Sequence, residues 1–333
     1  MQTDKPFKSI DEQIRILKVE RKLTINNVEA AKDILQRYGY YEIINGYKTP
    51  FLNDPSDDNK GYKENATFEH IFDLYKLDRD IRKDLLQSLE YFEQTFKQAL
   101  AYSVAKIISD DQTRYTAQSH YNTGKTHHNH RRIYNDRDRL LKKFNKLIHS
   151  DKQPFKHYRE DHHNIPPWIM VKGMTFGESI YWYRLSKPEV RFNVISKLLD
   201  IDPTLLRASN SSLKISQTIG DLLGLYLNYR NLTAHGGRIY NHRSEIYKIR
   251  WLPLIYPRFI NATRQEFNKN QFRSSLGVVM RTLKIFDNPE PSNNLEIWLQ
   301  IHLKSYLKKY KEDEKFLLEA MELDDNHIKF NLD

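Results

Sequence analysis

Between Phe68 and Ser109 the chain has neither glycine nor proline, and Leu74, Leu77, Ile81, Leu85, Leu89, Phe92, Phe96, Leu100 and Val104 recur at three- and four-residue steps. Side chains at that spacing share one face of an α-helix. The stretch is therefore predicted as one very long helix or two nearly collinear ones, beginning at Thr67 with Glu69 close behind. Such a stripe must be buried against other elements of the fold.

The flanking sequence repeats the pattern. Ile10, Ile14 and Leu17 mark one short amphipathic helix, and Val28, Ala31, Ile34, Leu35 and Tyr38 mark a second that Gly39 ends. With Tyr40 to Tyr47 these form an N-terminal helical unit, 1–60, closed by the turn-rich, acidic run Asn53 to Gly61. A helical core is expected over 61–250, interrupted by a polar, His-rich insertion at 110–165, and a C-terminal helical extension over 251–333. In the core, Phe176-Gly177 reads as a turn before a helix, Val190 to Leu199 as another helix, and Trp168 and Trp182 as core aromatics. In the extension, Leu295, Trp298, Leu299, Leu303, Tyr306 and Leu307 are spaced to pack on the core or on a partner chain.

Composition narrows the chemistry. The chain has 333 residues, no cysteine, 53 Lys and Arg against 43 Asp and Glu, and a formal charge of +10. Disulfides and thiolate metal sites are excluded, and the basic balance suits a polyanionic partner. No stretch approaches the ~20 apolar residues of a membrane span, and Met1 to Pro6 carries no apolar signal region. A cytoplasmic location is the expectation.

The stretch that looks built for chemistry is Tyr229-Arg230-Asn231-Leu232-Thr233-Ala234-His235-Gly236-Gly237-Arg238-Ile239-Tyr240-Asn241. It ends an amphipathic run marked by Ile215, Ile219, Leu222, Leu223, Tyr226 and Leu227. Arg230 falls three residues after Leu227, so a continuing helix carries its guanidinium on the inward face, and Gly236-Gly237 then stops the helix. An Arg offers a permanent planar charge to phosphate oxygens, and a His exchanges protons near neutral pH. Together they suit cleavage of a phosphodiester by its own 2′-hydroxyl, with no metal or other cofactor required. From spacing alone a second reading stays open: a buried Arg satisfied by helix-end carbonyls, with a His beside the cap.

The run Arg230-Asn231, three residues, His235 resembles the R-x4-H signature of the HEPN superfamily. The longer string through Arg238 and Asn241 resembles the Abi-like proteins, the AbiD/AbiF type of bacterial abortive-infection factors. Three other elements agree in order: Tyr40-Tyr41 with Asn45-Gly46-Tyr47; Leu74-Tyr75, Asp78-Arg79 and Ile81-Arg82 followed by Glu93 and Lys97; and Pro167-Trp168, Phe176-Gly177 and Ser179. Lys97 stands where that family more often has Arg, and Lys172-Gly173 where an acidic residue is common. The likeness runs over about residues 5 to 250.

The resemblance implies an all-α fold, a HEPN-like helical bundle, and a metal-independent endoribonuclease, a toxin-like abortive-infection factor working as a homodimer in which two Arg-His motifs share one cleft. Arg230, Asn231 and His235 are then the catalytic residues, with Glu93, Arg238 and Asn241 in support. RNA is the implied partner, as substrate and as a regulatory or antitoxin RNA. The alternative is a non-catalytic RNA-binding protein that holds a structured RNA. In the insertion, His128, His130, Arg131, Arg132, Arg137, Lys142 and Lys143 read as a cationic surface for an RNA backbone, with Tyr115, Tyr121 and Tyr134 as base-stacking candidates. Adjacent His127 and His128 in so polar a stretch read as solvated rather than as metal ligands.

Overall fold

A computed structural model describes residues 6–129, 132–253 and 255–324. The elements run α1 (Ile10–Arg15), α2 (Val28–Tyr38), α3 (Phe68–Ile107), α4 (Gln112–Tyr115), the antiparallel hairpin β1 (Thr126–Asn129) and β2 (Arg132–Asn135), α5 (Asp136–Ile148), α6 (Phe155–Asp161), α7 (Pro167–Met170) and α8 (Phe176–Leu185). There follow α9 (Pro188–Leu199), α10 (Pro203–Leu213), α11 (Ile215–Ala234), α12 (Arg264–Asn268), α13 (Leu276–Leu283), α14 (Glu290–Leu307) and α15 (Glu314–Met321). The fold is all-α, with one two-stranded hairpin among the described residues.

The long stripe forms one unbroken helix, α3, and every residue that marks it, from Leu74 to Val104, is buried. Thr67 Oγ1 accepts the His70 N–H at its start. The chain divides into two compact units: residues 1–84, 236–242 and 297–333 in the first, and 85–235 with 243–296 in the second.

In the first unit, the start of α3 carries α1, α2 and the C-terminal helices. The His70 ring stacks on Tyr310 at 3.7 Å and bonds Asp313 at 2.7 Å, and Tyr306 Oη donates to the same carboxylate at 2.6 Å. His302 meets Asp84 at 2.7 Å, and Asp73 accepts from Lys309 at 2.5 Å and from Tyr310 at 2.7 Å. These polar contacts explain why helices with many charges close on α3: each buried acceptor has its donor, which removes the cost of burying it alone. Leu299, Leu303, Leu317 and Met321 fill the apolar remainder, so the extension packs on its own chain, while Trp298 stays 42 % exposed.

In the second unit, Phe92 and Phe96 of α3 meet Phe176 of α8, and Phe92 also meets Tyr226 of α11 and Phe286, edge to face or tilted. The insertion, 110–165, carries α4, the hairpin, α5 and α6. Several sequence expectations are corrected here. Tyr115 and Tyr121 are not surface platforms: both are buried, with Tyr115 Oη donating to Ile165 O and Tyr121 Oη to Tyr115 O, each at 2.6 Å. Around them Trp182 and Phe144 close a second aromatic core. Trp168 is 42 % exposed rather than core. Phe176-Gly177 opens α8 instead of turning before it, because Thr175 and Glu178 form a reciprocal cap on its first N–H groups.

Candidate functional site

Helix α11 buries Ile219, Leu222, Leu223, Tyr226 and Tyr229, and Gly224 allows the close approach of a neighbour: a Cβ there would lie 2.6 Å from the Tyr247 ring. Tyr229 Oη donates to Ser274 O at 2.9 Å and Tyr226 Oη to Thr282 at 2.9 Å, which fixes the rotation of the helix about its axis. Arg230 then lies at the boundary of the core, its side chain 33 % exposed. Its Nε is shielded from solvent and makes no hydrogen bond, but stands 3.6 Å from Glu93 Oε2. Glu93 is 9 % exposed, and its other oxygen meets Lys97 Nζ at 2.6 Å. Lys97 Nζ also donates to Met174 O at 2.6 Å. The Lys thus holds the carboxylate, and the carboxylate holds one edge of the guanidinium while the rest of the fork faces outward.

The motif's other members are accessible. Asn231 is exposed; His235 is exposed at the C-cap, where its N–H reaches Asn231 O at 3.1 Å. Among the described residues the imidazole forms no hydrogen bond or ion pair. Thr233 Oγ1 turns back to Arg230 O at 2.8 Å. Gly236 follows at φ +76°, a left-handed conformation that glycine adopts without penalty and that ends the helix.

Arg238 and Asn241 belong to the other unit. There Asp78, fully buried, accepts from Ile239 N at 3.1 Å, Tyr240 N at 2.7 Å and Tyr47 Oη at 2.7 Å. Burial pushes its carboxyl above the ordinary value, against the pull of these donors and of Arg82 at 4.0 Å. Arg82 donates to Gly236 O and, at 3.2 Å, to Gly237 O. Arg238 donates to Gly46 O and lies 5.9 Å from the centre of the Tyr240 ring. Asn241 is half-buried. The segment after the motif is therefore pinned by side chains of the early helical elements. Asp78 is the residue whose role the sequence hid: between Leu77 and Ile81 a carboxylate would need buried donors, and those come from Tyr47 and, more than a hundred positions away, from the Ile239 and Tyr240 N–H groups.

The cationic surface read in the insertion is only partly a free surface. His128 and Lys142 are exposed. Lys143 pairs with Glu178 at 2.8 Å, and Arg137 is half-buried with Nη1 3.5 Å from Tyr121 O. Tyr134 stacks on His127, whose Nε2 lies 2.5 Å from Asp136. His130, Arg131 and the Arg132 side chain lie outside the described residues. Among the described residues no group of three or more His, Cys, Asp or Glu side chains is placed to hold a metal ion, and no helix is long and apolar enough to cross a membrane.

Together these features define an all-α protein that carries a part-exposed Arg and, at the end of the same buried helix, an exposed His that no described residue engages. The chain belongs to the Abi-like protein family, whose model matches residues 33–241, from α2 through the whole motif. No curated protein and no solved structure matches the chain.

Proposed function

We propose that this Abi-like chain is a metal-independent endoribonuclease of the HEPN type, acting in abortive infection by cutting RNA. The observation that carries the reading is the pairing of an Arg braced by a shielded carboxylate with an exposed imidazole that forms no hydrogen bond or ion pair among the described residues. In the reaction His235 takes the proton of a ribose 2′-hydroxyl or gives one to the leaving 5′-oxygen. The 2′-oxygen attacks the adjacent phosphorus, and the bond to the 5′-oxygen breaks. The products are a 2′,3′-cyclic phosphate and a free 5′-hydroxyl. Arg230 stabilises the charge that builds on the phosphorane oxygens, and Asn231 orients backbone or RNA.

Two copies supply the Arg and the His together. Residues five apart on a regular helix differ by about 140° in direction and ~7.5 Å in rise, so one protomer's Arg and His need not converge on the same phosphate. A two-fold axis brings Arg230 of one copy toward His235 of its partner. Arg238 and Asn241 support the segment or touch phosphate, and a bound antitoxin-like RNA restrains the enzyme.

The test is purified protein with labelled RNA in EDTA. Cleavage that disappears in His235→Ala and Arg230→Ala, and at a substrate carrying a single 2′-deoxy sugar at the cut, upholds the nuclease. RNA binding without strand scission under every condition identifies a non-catalytic RNA-binding protein instead.

A further inference from the structure

A cleft of about 240 Å³ opens between α5 and the start of α8, within the second unit. Its floor is apolar, formed by Leu140, Met174 and Gly177, and one wall is the ring of Tyr181. The Arg139 guanidinium carbon lies 5.6 Å from the centre of that ring, and Lys143 stands at the rim. Glu178, the acid among the lining residues, is engaged: Lys143 meets it at 2.8 Å and the Thr175 N–H at 2.8 Å. Arg139, Lys142 and Lys146 are exposed and fall at three- and four-residue steps, so they share one face of α5 and extend a cationic track from the mouth of the cleft. The inner face of the same helix, Leu140, Phe144 and Leu147, is buried and holds the track rigidly.

An aromatic wall over an apolar floor, with cations at the rim, is the chemistry that takes a nucleobase and its phosphates. The volume lies below the roughly 300–1,000 Å³ of drug-sized pockets, which fits one base rather than a folded ligand. The cleft is also wired to the candidate site. Met174, on its floor, gives its carbonyl to Lys97, the residue that holds Glu93 and through it Arg230. Gly177 lies against Leu227, three residues before Arg230 on α11.

We propose that this cleft is a nucleotide subsite: one base of single-stranded RNA stacks on Tyr181, and the flanking phosphates lie on Arg139 and the exposed Lys142. The subsite rests on the nuclease reading, for which it selects and registers the RNA beside Arg230. Because Tyr181 Oη donates to Asp136, the informative substitutions separate the ring from the hydroxyl.

The experiment measures binding of a labelled single-stranded oligoribonucleotide of mixed sequence to His235→Ala protein, in which cleavage does not interfere. Tyr181→Leu, which removes the ring, and Arg139→Glu, an exposed change, each weaken binding about ten-fold or more, whereas Tyr181→Phe stays within about two-fold. In the cleaving protein the same two changes raise KM and leave kcat at saturating RNA near its original value. If both variants bind as tightly as the parent while wild-type protein cuts RNA, the subsite is wrong and the nuclease stands. If wild-type protein never cuts but both variants lose binding, the subsite stands and the nuclease falls. Absence of RNA binding by the wild-type chain overturns both.

Discussion

The carboxylate of Glu93 lies 3.6 Å from Nε of Arg230, two residues of different helices that are far apart in sequence, and no other acceptor reaches that nitrogen among the described residues. The contact matters because a guanidinium at the edge of an apolar core has many rotamers, and a nearly buried carboxylate selects one. Glu93→Gln keeps the shape and removes the charge, leaving Lys97 and Arg230 facing each other's field. The loss is set at about 1–3 kcal/mol, below the roughly 3–5 kcal/mol of a fully buried pair, because both cations are partly solvated. Urea unfolding measures it, and a double-mutant cycle with Lys97→Met assigns the shared part. Unchanged stability in Glu93→Gln would remove the bracing role.

Arg230→Lys separates folding from chemistry. A lysine keeps a cation near Glu93 but lacks the planar fork that contacts two phosphate oxygens at once. RNA cleavage at saturating substrate is expected to fall about 10²–10³-fold, the scale for loss of one preorganised oxyanion donor, with little change in the thermal unfolding midpoint. Full activity in this variant would mean that Arg230 acts only as a positive charge.

Asp78 organises the segment that follows the motif, and Asp78→Asn tests that. Its amide leaves one uncharged oxygen for the Ile239 and Tyr240 donors in place of a carboxylate, and turns an N–H group toward the Tyr47 hydroxyl that donated to the other oxygen. Weakening these charge-assisted bonds costs about 1–3 kcal/mol. Hydrogen exchange at the Ile239 and Tyr240 amides should accelerate more than elsewhere in the first unit; slow exchange at both positions would show that the segment is held by other contacts.

Asp136 gives the second unit an acid-sensitive contact. Burial raises its pKa, but hydrogen bonds from Tyr181, His127 and the Lys125 N–H outweigh that and hold it below the ordinary carboxylate value. A carboxyl depressed on folding contributes stability above its unfolded pKa, and that contribution disappears as pH falls through the folded value. Wild type should therefore exceed Asp136→Asn in stability near neutral pH, with the two curves converging below about pH 4. A gap of constant size across that range would rule the contact out as the cause.

Gly224→Ala is a probe of packing on α11. The added methyl would meet the Tyr247 ring at 2.6 Å, so the ring or the segment 243–250 must move. Overpacking of this kind costs about 1–3 kcal/mol, against the small gain that alanine brings to an exposed helix position. A variant as stable as wild type in a denaturant melt would show that Tyr247 is free to swing away.

The local pattern alone was enough for the two helices that carry the motif and its brace. Periodicity marked α3 and α11, because a helix facing a core repeats its apolar residues every three or four positions whatever it packs against. The glycine pair after His235 marked where α11 stops for an equally local reason: Gly236 takes the left-handed backbone that ends a helix. The motif was legible for the same reason, since Arg230, Asn231 and His235 lie within two turns of one element.

Tertiary structure decided what composition misread. Tyr115 and Tyr121 sit in a polar stretch, yet α5 and α8 supply the aromatic partners, and the Ile165 and Tyr115 carbonyls the acceptors, that let them be buried. Likewise no spacing rule joins Glu93 to Arg230, Asp78 to the Tyr240 amide, or Arg139 to Tyr181. Hydrogen bonds and ion pairs across such distances in sequence depend on how helices rotate and close on one another, and that is settled only when the whole apolar surface is buried at once.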